Sequence, residues 1–119
     1  MVVYLLNALV VPIDFEQHPQ VTVKIRKATV EEVRQLLSTK GFVSAIGHQG
    51  TAQLLTELLG VEIPFNRLSI KLRPGDVCVH FVLRQRIPEG KVLSYEELRQ
   101  LAFDLAISEV SEVLEHGHQ

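Results

Sequence analysis

The stretch Met1-Val-Val-Tyr-Leu-Leu-Asn-Ala-Leu9 predicts a strand that is apolar on both of its faces. That pattern is typical of a strand in the middle of a sheet, because both faces of such a strand are covered. Pro12 cannot donate a hydrogen bond to a neighbouring strand, so the strand ends before it. The segment from Val77 to Gln85 predicts a second central strand. A sheet built around two such strands needs helices packed against it.

Between these two strands the pattern predicts two helices and two further strands, of which the first comes before the helices. The segment from Val21 to Lys27 alternates apolar and polar residues, as a half-buried strand does. Thr29-x-x-Glu32 is a capping box, and it predicts a helix that runs through Leu37. A second helix is predicted from about Gln49 to Leu59, with Gly60 as its C-terminal stop.

The remaining elements are shorter. Leu68–Leu72 is predicted as a strand, and the Pro-Gly pair after it as a turn. Ser94-x-x-Glu97 is another capping box and predicts a helix to about Phe103. Ile107 to Leu114 is predicted as the last strand. The order β-β-α-α-β-β-α-β predicts one α/β (α+β) domain, with a mixed sheet of about five strands flanked by helices.

Composition restricts the class of protein. A chain of 119 residues with 46% hydrophobic residues makes one ordinary domain with its own core. No apolar run approaches the ~20 residues of a membrane-spanning helix, and the stretch Val2–Val11 lacks the basic start of a signal peptide. Cys78 is the only cysteine, which fits a reducing compartment, so we expect a cytoplasmic protein. The net charge of −2 attracts no long nucleic acid, and an anionic ligand would need a local basic cluster.

The sequence Ile46-Gly47-His48 precedes the second predicted helix directly. Gly47 allows a sharp turn and the close approach of a ligand. The first turn of a helix presents free N–H groups and a partial positive charge to an anion. His48 is placed to protonate an oxygen that leaves a bound phosphate. The alternative is that His48 is an ordinary exposed residue of a helix start.

Two arginines lie at the ends of predicted strands, where α/β folds place ligand contacts. Arg67 precedes one strand and Arg86 follows another. Guanidinium groups bind phosphate through two parallel hydrogen bonds, so the pair is a candidate phosphate clamp. Both arginines are equally compatible with solvated surface positions.

Asn7 and Glu89 are further candidates. Asn7 is a polar side chain in an apolar strand, so if it is buried it needs a partner, either a ligand or a neighbouring loop. Glu89 lies in Pro88-Glu-Gly90, and it could orient His48, bind a ribose hydroxyl or simply belong to a turn.

Cofactor signatures are missing from the sequence. His18 and His80 have no cysteine or carboxylate at ligand spacing, and His116 and His118 lie in a terminal tail. There is no P-loop, Rossmann glycine pattern or CxxC. We therefore expect neither a metal nor another cofactor.

Four stretches together resemble one family. Phe42-Val-Ser-Ala-Ile-Gly-His-Gln-Gly-Thr-Ala-Gln-Leu-Leu55 is similar to its "IGH-x-x-T-x-QL" core, and Asn66-Arg-Leu-Ser-Ile-Lys-Leu72 to its "NR-x-x-IKL" segment. Arg84-Gln-Arg-Ile-Pro-Glu-Gly-Lys-Val-Leu93 is similar to its "QR-(L/I)-x-EGK-x-L" motif, and Tyr4-Leu-Leu-Asn-Ala8 to its first strand. The family is that of the viral-type ring nucleases, the anti-CRISPR enzymes that degrade cyclic tetra-adenylate. Gly50 and Val82 depart from its pattern, which has serine and glutamine there.

The resemblance implies one ring-nuclease-like domain over residues 1–115, with a flexible tail at 116–119. It also implies a homodimer that holds the cyclic ligand at its two-fold axis. Cleavage would be metal-independent and would yield linear di-adenylates with 2′,3′-cyclic phosphate ends. The family's roles carry over by motif to six residues: His48 as general acid, Glu89 assisting, Arg67 and Arg86 on phosphate, and Asn7 and Gly47 in contact with the ligand.

Two other functions fit the same residues. A protein that binds cyclic oligoadenylate without cutting it, as a sponge or a sensor, would use the same arginines. A structural or transcription-related interaction protein would carry them as ordinary surface residues. Turnover of the ligand separates the first alternative from the enzyme, and a screen of phosphorylated ligands tests the second.

Overall fold

A computed structural model of the chain describes residues 1–85 and 93–113. These ranges contain five strands and three helices. In chain order they are β1 (Val3–Leu6), β2 (Val21–Ala28), α1 (Val30–Lys40), β3 (Val43–Ser44), α2 (Gln49–Leu59), β4 (Val77–Leu83), α3 (Tyr95–Leu98) and β5 (Phe103–Glu112). The predicted α+β class and the mixed sheet of about five strands are confirmed.

The strands form one sheet in the order β2-β5-β4-β1-β3. β1 pairs in parallel with both β3 and β4, and β5 is antiparallel to β4 and β2. Because β3, β1 and β4 run in the same direction, their carboxyl ends meet at one edge of the sheet. We call the residues that follow these three strands the carboxyl edge. The carboxyl edge is where parallel sheets place ligand contacts.

Both faces of the central strands are buried, as their apolar sequences predicted. On one face, α1 and α2 pack against the sheet, and the contact includes Val33, Leu55, Val79 and Phe81. The opposite face has no helix among the described residues. Ile13, Ile70 and Leu72 cover it instead and pack on Cys78 and Val110.

The predicted strand Leu68–Leu72 is wrong. Leu72 forms only an isolated parallel bridge to Ile13, while Ile70 and Leu72 point into the core and Leu68, Ser69 and Lys71 are exposed. The alternation in this segment therefore reports one buried side of an irregular chain, and not a strand in the sheet. The fifth strand is β3, whose two residues are too few to show a periodic pattern.

The helix after Ser94 is shorter than predicted, and the last strand begins earlier. The capping box is confirmed, but α3 ends at Leu98. Phe103, predicted to end the helix, instead begins β5, pairs with Leu83 and lies 5.2 Å from the Phe81 ring. Pairing with β4 and β2 outweighs local helix preference over this segment. Leu114 and the predicted tail at 116–119 lie outside the described residues.

The two longer helices agree with the sequence. The Thr29 capping box opens α1, which continues beyond the predicted Leu37 to Lys40. α2 has the predicted bounds, and Gly60 ends it in the left-handed conformation with φ 68°. No helix in the described part of the chain has the length and apolar character needed to cross a membrane.

His80 is fully buried in β4, as expected for a sheet-face histidine. Its Nδ1 lies 2.9 Å from the Ala8 carbonyl oxygen, and its Nε2 lies 2.6 Å from Ser108 Oγ. Because a carbonyl only accepts, Nδ1–H donates to Ala8 and Nε2 accepts the hydrogen bond of the Ser108 hydroxyl. The neutral ring thus ties the chain that follows β1 to the centre of the sheet.

We expect this histidine to make the fold less stable in acid. Burial lowers the pKa of His80 from its usual 6.5, and this effect is larger than that of the hydrogen bond to Ala8, which raises the pKa. The unfolded chain therefore takes up a proton near pH 6.5 that the folded chain does not, so stability is present above that pH and is lost below it. The free energy of unfolding is measured in urea between pH 7.5 and 5. His80→Gln should reduce the slope of this free energy against pH by up to about 1.4 kcal/mol per pH unit. His18→Gln is the control, and an unchanged slope in His80→Gln contradicts the assignment.

Candidate functional site

Two sets of candidate residues lie at the carboxyl edge. Asn7 follows β1, and the pair Gly47-His48 follows β3. Beside β3 lies a groove of about 430 Å³. Its walls are the first turn of α2, the chain around Phe65 and Arg67, and the start of α3 at Leu93–Tyr95. His48 and Arg67 thus come together in one cavity, 19 positions apart in sequence.

His48 is the N-cap residue of α2, and its side chain performs the capping. Nδ1 accepts a hydrogen bond from the backbone N–H of Thr51 at 3.1 Å and lies 2.9 Å from Thr51 Oγ1. Because the amide only donates, Nδ1 of the neutral ring is unprotonated and Nε2 carries the hydrogen. No hydrogen bond to Nε2 comes from residues 1–85 or 93–113. Among the described residues, Nε2–H thus has no acceptor, and His48 lines the groove.

This tautomer can be measured. With the imidazoles labelled with ¹⁵N and the ring neutral, we expect Nδ1 of His48 to show the shift of an unprotonated nitrogen and Nε2 that of a protonated one. His18 makes no comparable side-chain contact among the described residues, so it serves as the reference for an unconstrained ring. A protonated Nδ1 in neutral His48 would contradict the geometry.

Thr51 is a site residue that the sequence analysis missed. It is buried, at 5% exposure, and both its amide and its hydroxyl touch the His48 ring. The hydroxyl can accept from Nδ1–H when the ring is protonated, so Thr51 can hold the ring in both charge states. The signal was present, because His48 and Thr51 have the N-cap and N3 spacing of the two capping boxes.

Gly47 and Arg67 are in direct contact. Arg67 Nε donates to the Gly47 carbonyl oxygen at 3.4 Å, and a Cβ on Gly47 would lie 3.3 Å from Arg67 Cγ. The close approach predicted at Gly47 is thus an approach by the Arg67 side chain. The guanidinium is exposed and lies next to the first turn of α2, which is where a bound phosphate would sit.

Gly50 also has a steric role. A Cβ there would lie 3.1 Å from His48 Cε1 and 3.3 Å from the Leu93 carbonyl oxygen. The absence of a side chain lets the start of α3 close against α2 and leaves the His48 ring in its capping position. This explains a glycine where the ring-nuclease pattern has serine.

Charge favours an anion in this groove. Among the described residues that line it, Arg67 alone carries a formal charge. A larger cavity of about 550 Å³ lies beside α1 and is lined by Glu31, Glu32 and Glu109. Its Arg26 is paired with Glu32 at 2.8 Å, so this cavity does not suit a phosphate.

The structure does not bring the other predicted residues into the groove with His48 and Arg67. Asn7 is exposed after β1, so the expected need of a buried amide for a partner does not arise, and Asn7 does not line the groove. Arg84 pairs with Asp104 at 2.8 Å, and its hydrogen bond lowers the pKa of that carboxyl. Arg86 and Glu89 lie outside the described residues.

Three uncharged side chains in the groove were not singled out from the sequence. Phe65, Gln53 and Tyr95 all line it. Tyr95 also donates to the Glu57 carboxylate, which raises the pKa of its hydroxyl and links α3 to α2. Gln53 lies within the IGH-x-x-T-x-QL stretch, although no role was assigned to it there. Nothing local in the sequence marks Phe65 or Tyr95, and Tyr95 reaches the groove only because α3 packs on α2.

Comparison with known proteins places this fold in a family. The family model described as STIV B116-like matches residues 3–105, which include every candidate site residue. The chain belongs to the STIV B116-like family. This chain is 37% identical over 108 residues to one relative, uncharacterized protein 26 of Sulfolobus islandicus filamentous virus (isolate Iceland/Hveragerdi). The match covers 90% of each chain.

Other viral proteins are similar to this chain over most of its length. Uncharacterized protein ORF117 of Acidianus two-tailed virus is 38% identical over 108 residues, which cover 88% of this chain and 90% of that protein. The solved structure of B116 of Sulfolobus turreted icosahedral virus superposes with a TM-score of 0.66 at 29% identity, covering 92% of this chain and 99% of that one. The family thus includes proteins of several viruses, and the fold extends over nearly the whole chain.

Proposed function

We propose that this protein is a metal-independent ring nuclease. It binds cyclic tetra-adenylate, cuts it to linear di-adenylates with 2′,3′-cyclic phosphate ends, and so ends type III CRISPR signalling. The observation that supports this most is the arrangement at His48, which lines the groove with its Nδ1 held by Thr51 and its Nε2 free of hydrogen bonds to the described residues. A proton donor beside an arginine at a helix N-terminus is what cleavage of a phosphodiester requires.

The substrate brings its own nucleophile. The 2′-oxygen attacks the adjacent phosphorus, the bond from phosphorus to the 5′-oxygen breaks, and the 2′-hydroxyl proton passes to solvent or to a carboxylate. The enzyme aligns the 2′-oxygen with the leaving 5′-oxygen, which contributes several kcal/mol. The products are a 2′,3′-cyclic phosphate and a 5′-hydroxyl, so no external water is consumed.

His48 acts on the leaving group. The protonated ring donates from Nε2 to the 5′-oxygen as the bond breaks, a contribution of about 10²–10⁴-fold. In the protonated ring Nδ1 no longer accepts from the Thr51 amide, and Thr51 Oγ1, 2.9 Å from Nδ1, accepts the second imidazolium hydrogen instead. Since Nδ1 of the neutral ring is already engaged, Nε2 serves as an acid and not as the base.

Arg67 stabilises the charge that develops on the phosphate. Its exposed guanidinium reaches the groove across Gly47. Arg86 is proposed as a second phosphate ligand and Glu89 as the group that assists His48, both on the resemblance alone. Asn7 is proposed to contact the ring from the neighbouring strand end.

A two-fold dimer completes the proposal. The groove of one chain, about 430 Å³, has the size of a site for a drug-sized ligand and is small for a ring of four nucleotides. Leu9, Val10 and Leu68 are large apolar side chains that are about half exposed, and a second copy could cover them. An isologous pair presents two copies of His48, one to each side of the ring. We expect the dimer to act in the cytoplasm.

The test is incubation with cyclic tetra-adenylate in EDTA, followed by separation of the products. We expect linear di-adenylate with a cyclic phosphate end, at equal rates with and without the chelator. Binding without product supports a non-catalytic binding protein, and neither binding nor product contradicts any cyclic-oligoadenylate function. The mass in solution is measured on the same sample, and full activity of a monomer contradicts the dimer.

A further inference from the structure

Phe65 is an exposed aromatic residue on a rigid backbone. Half of its surface is accessible, at 50%, yet its segment is bonded on both sides to the end of β3. Asn66 N–H donates to the Ile46 carbonyl oxygen at 2.8 Å, and Asn66 Nδ2 donates to the Ser44 carbonyl at 2.7 Å. Ser44 Oγ donates to the Pro64 carbonyl oxygen, also at 2.7 Å. The chain thus holds a phenyl ring in water at a defined position.

That position is inside the ligand groove. Phe65 lines the same cavity as His48 and Arg67, and it is two residues from Arg67 along a segment that bridges to Ile46. A cation and a flat apolar ring side by side match the two parts of a nucleotide, its phosphate and its base. Stacking a base on the ring removes both apolar surfaces from water.

We propose that Phe65 is the stacking platform for a purine base, so that the groove takes phosphorylated purine nucleosides in preference to phosphate or sugar phosphate. The inference rests on the proposed function only in identifying that nucleoside with an adenylate of the ring. Arg67 holds the phosphate, the phenyl ring holds the base, and together they set which linkage faces His48. Phe65 is then a specificity-determining residue and takes no part in proton transfer.

The chain contains no tryptophan, so Phe65→Trp introduces a single tryptophan at the platform, whose fluorescence can be excited selectively. We expect adenosine 5′-monophosphate to quench its fluorescence in a saturable way, and ribose 5-phosphate to leave it unchanged. Phe15→Trp is the matched control, because Phe15 is exposed at 63% and does not line the groove. No saturable quenching, or equal quenching by both compounds or at both positions, overturns the proposal.

A second pair of variants tests the platform during turnover. Phe65→Ala should raise the KM for cyclic tetra-adenylate about 10-fold or more with a small change in kcat, and Phe65→Tyr should restore it. An unchanged KM in Phe65→Ala overturns the platform and leaves the nuclease intact. A KM that recovers at high protein concentration assigns Phe65 to a subunit contact and also overturns it. If the parent protein cleaves no ring, the proposed function fails, while quenching of Phe65→Trp by the nucleotide still decides the platform.

Discussion

Replacing His48 with asparagine is expected to slow single-turnover cleavage of cyclic tetra-adenylate by about 10²–10⁴-fold while the ring still binds. The reason is that the leaving 5′-oxygen then receives no proton from Nε2. Asparagine is the informative substitution because His48 also caps α2 through Nδ1. Asparagine caps helices well but cannot act as an acid, whereas His48→Ala loses both roles and also costs about 1 kcal/mol of stability.

The rate and the affinity are measured on the same folded protein. His18→Ala, which changes a histidine outside the groove, should cut at the parent rate. A structural role for His48 would lower stability or binding along with the rate, and His48→Asn would then behave better than His48→Ala in all three measurements. If His48→Asn cuts nearly as fast as the parent, His48 is not the acid.

Replacing Arg67 with alanine is expected to lower both the affinity for the ring and the rate of cleavage, the rate by about 10²–10³-fold. The guanidinium lies across Gly47 beside the helix N-terminus. In the proposed mechanism it contacts the phosphate there and stabilises the charge that builds on it. Because the variant loses one phosphate contact, the slope of log K for binding against the log of salt concentration should become smaller by about 0.7. Arg67→Lys keeps the charge but not the planar fork, so we expect an intermediate result.

Arg26→Ala is the control for this variant. Arg26 is also exposed and forms a surface ion pair with Glu32, but it lines the acidic cavity beside α1. Its loss should have little effect on stability, because exposed ion pairs contribute little, and it should leave binding and its salt dependence as they were. Equal ring affinity and equal salt slopes in the parent and in Arg67→Ala would show that Arg67 is a surface residue without a ligand.

Features set within a few residues could be predicted from the sequence. The two capping boxes, the bounds of α2 and its stop at Gly60 were all correct, because the bonds that form them join residues three or four apart. The burial of both faces of β1 and β4 was likewise visible in their composition. The placement of His48 at a helix start followed from the same local signals.

Contacts between distant parts of the chain were decided only by the tertiary structure. The alternation of apolar and polar residues at Leu68–Leu72 is the same whether the segment pairs within a sheet or packs over the face of one. In the structure it packs over the sheet together with Ile13. The contact of Arg67 with Gly47 and the place of Phe65 in the groove depend on the chain returning to the end of β3 after α2. Periodicity reports which side of a segment is buried, whereas the identity of the partner depends on chain closure across 20 residues or more.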